Sequence, residues 1–490
     1  MGCEQGGILG SEEFQLVQNF ELHVSGASGL GLDIGGINVS NISAADDVSY
    51  ISTSIHGLQS LLNLSVKCTD LHFMTLVPEK TKLLVFIPPA DKFYDRWLPT
   101  LEISLKEFLV TPSVDADHVG VVRSTLNSNI PAIQARISAH TRALFPVIAC
   151  GAARAHRASP ASTLRCADIY GTSVLFSGLA SLVLNKTEVN LLTRHLKKTL
   201  IQLQRLHRNT GTPAVYFMSG VLPAKALLDI KILNLFGMIS RLGTGHILHK
   251  ISFFSLTNAS PHSWLTMTRK LFVKYDLGDP LTLLLSPPAK EFYKRLVKTS
   301  VTSVWHTQLK TEAQKLSSLK YLHCDFLPLG RGPHLIWRSC NGSLSSVHAA
   351  TIHAKLLCGT YRCDALIGKF TGSSIACSLE GCDAQIGDAH HLLSGNCPAL
   401  VDTLATATVN GLTVLLHYPH LHKIVCMALS SSSDCWVALL MDPGTQPFVI
   451  SYKQAYGVKS IFPLYKFCRT YIWAMHRKYF SLKGLSKFLK

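Results

Sequence analysis

INVSNISAADDVSYI, residues 37–51, is the stretch on which the reading of the fold turns. Ile37-Asn38-Val39-Ser40-Asn41-Ile42 alternates apolar and polar side chains with period two, which reads as a strand. Val48-Ser49-Tyr50-Ile51 follows after Ala44-Ala45-Asp46-Asp47. Two adjacent carboxylates are costly to place side by side unless cations neutralise them. At the tip of a hairpin they can aim oxygens at Mg²⁺, which accepts carboxylates and keeps several waters. A pair of such ions could activate an attacking oxygen and stabilise a leaving one. The plain alternative is an acidic surface turn.

Working outward, GLQSLLNLSV (57–66) has helical spacing, and Leu83-Leu84-Val85-Phe86-Ile87, closed by Pro88-Pro89, suits a buried strand. Strands mixed with helices make the class α+β. From 126 to 245 the period is helical. Within it, VNLLTRHLKKTLIQLQRL (189–206) places Leu191, Leu192, Leu196, Leu200, Leu203 and Leu206 on one face. The opposite face carries Lys197 and Lys198, and residues 186–208 hold six Lys/Arg against one Glu. Such a helix can lie along a phosphate backbone or simply present a solvated charged face. The organisation read from the chain is 1–125, 126–245 (helical), 246–345 (a helical connector), 346–400 (a Cys/His cluster) and 401–490 (a basic helical tail). In the tail, Tyr452, Tyr456, Tyr465, Tyr471, Trp473 and Tyr479 interleave with Lys and Arg. Single-stranded nucleic acid wants that mixture, since charge meets phosphates and rings meet bases.

Composition narrows the classes. Hydrophobic residues are 47% and charged residues 16%, so disorder is excluded for most of the 490 residues. The net charge of +17 makes an anionic partner plausible, nucleic acid ahead of membrane. The longest apolar stretch, Gly171 to Leu184, falls short of the roughly 20 residues a spanning helix needs and reads as a buried helix. MGCEQGGILG has neither the basic nor the apolar region of a secretory signal. The expectation is an intracellular chain, nuclear or cytoplasmic, whose 14 cysteines are free thiols or metal ligands. Gly29-Leu30-Gly31-Leu32-Asp33-Ile34-Gly35 places its third Gly one position late for a dinucleotide loop, and no nucleophile elbow or His-Glu-x-x-His motif occurs.

Cys377, Cys382 and Cys397, with His390-His391 between the last two, form the second constellation. Read as C-x4-C-x8-H-x5-C it offers three thiolates and one imidazole, a common tetrahedral zinc set. His390 competes with His391 for the fourth position. Gly381, Gly387 and Gly395 suit tight loops around an ion. Lys355, Arg362 and Lys369 lie nearby in sequence and could meet phosphate. A zinc ion there could also do no more than staple a small subdomain.

The order of the motifs resembles the reverse transcriptase of non-LTR (LINE-type) retrotransposons. Gln5-Gly6-Gly7 is similar to the family's QG loop, Ala45-Asp46-Asp47 to its ADD hairpin, Pro78-x-Lys80-Thr81 to its lysine motif and His118-x-Gly120 to its primer grip. TSVLFSGLASLVL (172–184) and AVYFMSGVLP (214–223) look like thumb signatures, and Cys377 to Cys397, ending Cys-Pro, looks like the C-terminal CCHC element. The resemblance implies a partial palm over 1–125, a thumb over 126–245, a connector and a CCHC element. It implies that Asp46 and Asp47 hold Mg²⁺ (or Mn²⁺) and that Lys80 neutralises departing pyrophosphate. Gln5 and Gly6 would touch template or nucleotide, and His118 and Gly120 the primer. Lys197, Lys198, Lys355 and Arg362 would hold RNA or DNA, and Cys377, Cys382, His391 and Cys397 would hold Zn²⁺. The family's first metal-binding Asp lies upstream of the QG loop. The expectation is therefore template–primer binding without polymerisation by this chain alone, with dNTP a partner only when the upstream palm is supplied. The other expectation is a non-catalytic, zinc-dependent nucleic-acid-binding or scaffolding protein.

Overall fold

A computed structural model describes residues 10–44, 47–86, 101–118, 120–126, 128–149, 159–258, 260–327 and 329–485. Helix makes up 63% of it, and strand is confined to small antiparallel two-stranded sheets, so the class is α+β with helix dominant. The chain divides into two compact units that interleave along the sequence. One comprises Met1–Ser138, Phe176–Val189 and Leu228–Ser300. The other comprises Ala139–Leu175, Asn190–Leu227 and Val301–Lys490.

In the first unit, Asn41–Ala44 and Asp47–Tyr50 pair antiparallel, with Ala44 opposite Asp47. Residues 45 and 46 lie outside the described residues. A lone two-stranded hairpin is marginal in water. Here polar bonds fasten it to the helix Gly10–Ala27. Asn41 Nδ2 donates to Leu22 O at 3.0 Å and to Ser25 Oγ at 2.6 Å, and Ser40 Oγ donates to Ser25 O at 2.9 Å. The buried Glu21 carboxylate accepts from Tyr50 Oη and from Ser65 Oγ. Burial first, and then the Glu21 carboxylate beside it, push the Tyr50 hydroxyl far above its usual range, so it remains a proton donor.

Ser65 belongs to the helix Ile55–Leu71, which Ser54 caps by accepting the Gly57 N–H at 3.0 Å. Its face (Leu58, Leu62, Val66) packs with Leu83, Ile103, Leu105 and Val110, and the last three come from the hairpin Ile103–Leu105/Phe108–Val110. A further hairpin, Asp115–His118 with Val121–Ser124, turns at Gly120 with φ +69°, a conformation that favours glycine. A short pair, Leu32–Asp33 with Asn38–Val39, completes the strands described in this unit, and helices follow. Asp229, fully buried, accepts from Tyr275 Oη at 2.5 Å and from Lys274 Nζ at 3.2 Å. A Cβ at Gly237 would lie 2.1 Å from the Tyr293 ring, so this glycine sets a close approach.

The second unit is built around the terminal helix Phe462–Leu482, packed by the helices Leu344–Leu357, Val401–Leu415 and Ser433–Met441. Gly411 admits the Phe467 ring, which would sit 2.4 Å from a Cβ there. A polar network crosses this core. Asp442 takes His334 Nε2 at 3.2 Å and Tyr465 Oη at 2.7 Å, and Tyr465 Oη also accepts the Gly444 N–H at 3.2 Å. Burial alone would raise the Asp442 carboxyl, but His334 and Tyr465 outweigh it and hold it below its usual range.

Three local expectations are corrected. Residues 83–86 form no strand. Leu83 makes one parallel bridge to Pro112, which has no N–H to extend a ladder, and Ile87 lies outside the described residues. The stretch 171–184 is buried in part but is not one helix. It breaks into Thr172–Leu175 and a 3₁₀ turn Leu179–Ser181, separated by Gly178 at φ +72°. A Cβ at Gly178 would meet Val121 Cγ2 at 2.1 Å, so packing fixes the break. Finally, Tyr465, Tyr471 and Tyr479 of the tail are at most 2% exposed. They spend their rings on the core rather than on stacking with a ligand.

Candidate metal centre

The segment from Cys363 to Leu400 is short of helix and rich in specific backbone bonds. Cys377 N–H donates to Ala384 O at 2.9 Å and Gly387 N–H to Ile375 O at 2.8 Å, which pinches the loop between them. Gly387 passes so close to Cys377 that a Cβ would lie 2.9 Å from its Cα. Gly381 (φ +75°) and Gly395 (φ +81°) make the left-handed turns inside the two ligand spacers. Asp388 caps the short helix Ala389–Leu393 by accepting the His391 N–H at 2.8 Å, which orients the turn that carries the histidines.

The result is a cluster. One ligand atom from each of Cys377, Cys382, His391 and Cys397 lies within 4.8 Å of every other. Cys382 Sγ and His391 Nε2 are 3.3 Å apart. A zinc tetrahedron with Zn–S of about 2.3 Å has ligand–ligand edges of roughly 3.8 Å, so small side-chain movements would complete it. Three thiolates and an imidazole select a zinc-like ion over oxygen-seeking cations. Four protein ligands leave no open position, which is the structural rather than the catalytic form of such a site.

Without an ion, burial works against the thiolates and for the neutral imidazole. Burial, and then the neighbouring Cys377 sulfur, push the Cys397 thiol up to about 12, while burial lowers His391 and favours its neutral, ligating form. A divalent ion among the sulfurs reverses the penalty on the thiolates, because it replaces protons as their counter-charge. The spacing left His390 and His391 in competition, and the geometry separates them. His391 faces the sulfurs, whereas His390 Nε2 meets the Asp434 carboxylate at 2.8 Å.

Supporting residues were not legible in the ligand spacing. Asp364 accepts from Ser378 N–H at 3.1 Å and from Ser378 Oγ, and its partner from the terminal helix's end is Lys483. Burial works against the Asp364 carboxylate, but Lys483 and Ser378 outweigh it and keep it below its usual range. Tyr471 Oη donates to Leu393 O at 2.9 Å, tying the histidine turn to the helical core. Asp388 had a signal, an Asp just ahead of a helical turn. Asp364 and Tyr471 are 14 and 78 residues from their partners and had none.

The remaining candidates are scattered. Gln5, Gly6 and Asp46 lie outside the described residues. Asp47 is exposed at the start of its strand, and Lys80 is exposed in the 3₁₀ turn Pro78–Lys80. No ion pair joins these two among the described residues. A single described carboxylate does not make a Mg²⁺ site. His118 pairs with Val121 across its hairpin, and Arg136 donates to Gly120 O. Lys197 is half-buried with Nζ on Thr212 Oγ1 at 2.8 Å, and burial lowers its pKa, while Lys198 is exposed. Burial, and then Arg362, lower Lys355, while Arg362 itself is exposed. No helix among the described residues is long and apolar enough to cross a membrane. Compared with known proteins, the chain matches no protein-family model and no curated protein.

Proposed function

We propose that the chain is a zinc-stapled nucleic-acid-binding protein of LINE-type reverse-transcriptase descent, acting through its helical, basic second unit. The observation that carries the reading is the gathering of Cys377, Cys382, His391 and Cys397 into one cage. The net charge of +17 supports an anionic partner. The antiparallel pairing of Asn41–Ala44 with Asp47–Tyr50, on either side of the ADD sequence's first two residues, supports the polymerase descent. Zinc would fix the loop that follows the helix Asp364–Thr371, and Lys198, Arg362 and Lys369, the last on that helix, are exposed for phosphate. Asp47, with Asp46 beside it in sequence, is the remnant of the metal-holding hairpin in this reading.

The test is binding of the purified full chain to RNA at several salt concentrations. Affinity should fall steeply with salt as counterions are released, and should be lost with Cys382→Ser. Salt-independent or absent binding would remove the proposal. Primer extension on an RNA template with Mg²⁺ and dNTPs tests the enzymatic side, since extension abolished by Asp46→Asn would make the chain a polymerase rather than a binder. A purely scaffolding role has one observation in its favour: Cys397 is fully buried, as are Leu392, Leu393 and Leu400 in the same stretch of chain, so the ion would sit at the edge of a core.

A further inference from the structure

With Tyr465, Tyr471 and Tyr479 committed to the core, two of the tail's aromatics remain at the surface beside a ring from another helix. Tyr452 and Tyr456 lie one helical turn apart on the helix Pro447–Tyr456, with ring centroids 4.7 Å apart and planes tilted by 40°. His420, at the start of the helix Pro419–Leu429, joins them. Its ring lies 5.9 Å from Tyr452 and 6.4 Å from Tyr456, tilted by only 25° from the latter. Tyr456 is 64% exposed, His420 is exposed as well and Tyr452 is half-buried. These separations fall in the range of favourable ring–ring contacts, so the three rings hold one another in place without a ligand.

The flanking segments are short of acids. From 403 to 433 and from 443 to 490 the sequence contains no Asp or Glu. Lys423 and Lys459 are exposed on the segments that supply the rings or follow them. Lys453 is half-buried, with Nζ on Gly444 O at 3.1 Å. Rings held at the surface with lysines close by in the chain are what unpaired bases on a phosphate backbone require. A duplex keeps its base faces stacked inside and would use only the lysines.

We infer that Tyr452, Tyr456 and His420 form a stacking platform for unpaired bases of single-stranded nucleic acid, with Lys423 and Lys459 receiving the flanking phosphates. This inference rests on the nucleic-acid-binding reading and deepens it by naming where the bases go.

The experiment uses the full chain and an unstructured single-stranded RNA oligonucleotide carrying 2-aminopurine, whose fluorescence is quenched by stacking. The wild type should bind and quench. Tyr452→Ala/Tyr456→Ala should weaken binding about tenfold and abolish the quench, while the corresponding Phe pair keeps both. Tyr456→Leu, which retains apolar bulk without a ring, should also lose the quench. The salt slope should be unchanged in all of them and should fall with Lys423→Gln/Lys459→Gln. Zinc content and melting temperature report that each variant folds. Wild-type binding with full quench in the Ala pair would overturn the platform alone. No wild-type binding to single-stranded RNA at low salt would overturn the platform and the nucleic-acid reading together.

Discussion

The acidic hairpin at 41–50 and the Cys/His loop at 377–397 are both short motifs with functional residues at set spacing, yet the fold treats them differently. The Cys/His loop closes on itself. All four ligands lie within 21 residues, and glycines at 381, 387 and 395 supply the turns that bring them together. The hairpin forms as a hairpin, anchored through Glu21, Tyr50 and Ser65, and Asp47 stands exposed in it, but among the described residues it joins no cluster of acids that could share a cation. A metal cage built from local spacers is complete in its own stretch of chain. A two-metal catalytic site needs acids from separate strands, and no local pattern supplies them.

The sharpest way to break this contrast is to remove one ligand. Cys397→Ser should release the metal and destabilise the stretch around the cage. Structural zinc is worth about 10–16 kcal/mol in small peptide sites, so most of the cage's local stability should go. Metal analysis and thermal unfolding of the full chain check this. Asp47→Asn, by contrast, should leave metal content and melting temperature unchanged, since an exposed side chain away from special contacts shifts stability by roughly 0.5 kcal/mol or less.

Acid should act on the second unit through a different group. His353 is fully buried, with Nε2 on Met441 O at 2.8 Å, and burial lowers it to about 4. The unfolded chain binds this proton near pH 6.5 and the folded chain does not. Stability is therefore fully present above pH 6.5 and falls as pH drops toward 4, by about 3 kcal/mol over that window. Urea midpoints at pH 7 and 4.5 measure it. His353→Gln should flatten the dependence, and an unchanged slope would remove this account of it.

A packing test follows. Gly411→Ala places a methyl against the Phe467 ring and should cost about 1–3 kcal/mol by overpacking, read from denaturant midpoints. The smallest effect concerns the two adjacent histidines. His390→Ala removes an ion pair to Asp434, which is 86% exposed, so it should cost no more than about 1 kcal/mol and leave metal content intact. His391→Ala should lose the metal. Equal loss in both variants would contradict the ligand assignment.

What could be read from the sequence divides by range. The helix Ile55–Leu71 and the hairpin around 45–46 follow from local periodicity. The leucine stripe of Lys186–Leu203 is where its spacing put it, with Leu192, Leu196, Leu200 and Leu203 buried. The Cys377, Cys382, His391 and Cys397 cluster follows from spacer lengths. The break at Gly178 did not follow, because it is imposed by Val121, far away in sequence. The fate of the tail aromatics did not follow either. Tyr456 and Tyr479 look alike in a basic string, and only tertiary packing leaves one at the surface and buries the other. The Asp364–Lys483 pair, 119 residues apart, belongs to the same category.

The cage itself admits a direct measurement. Full-length protein purified without chelator should carry one zinc per chain. After exchange it should give the visible absorption of tetrahedral cobalt with three sulfur ligands and one nitrogen, and that absorption should vanish in Cys377→Ser, Cys382→Ser, His391→Ala and Cys397→Ser but persist in His390→Ala. Folded protein without stoichiometric metal, or a cobalt spectrum indifferent to those four substitutions, would contradict the account.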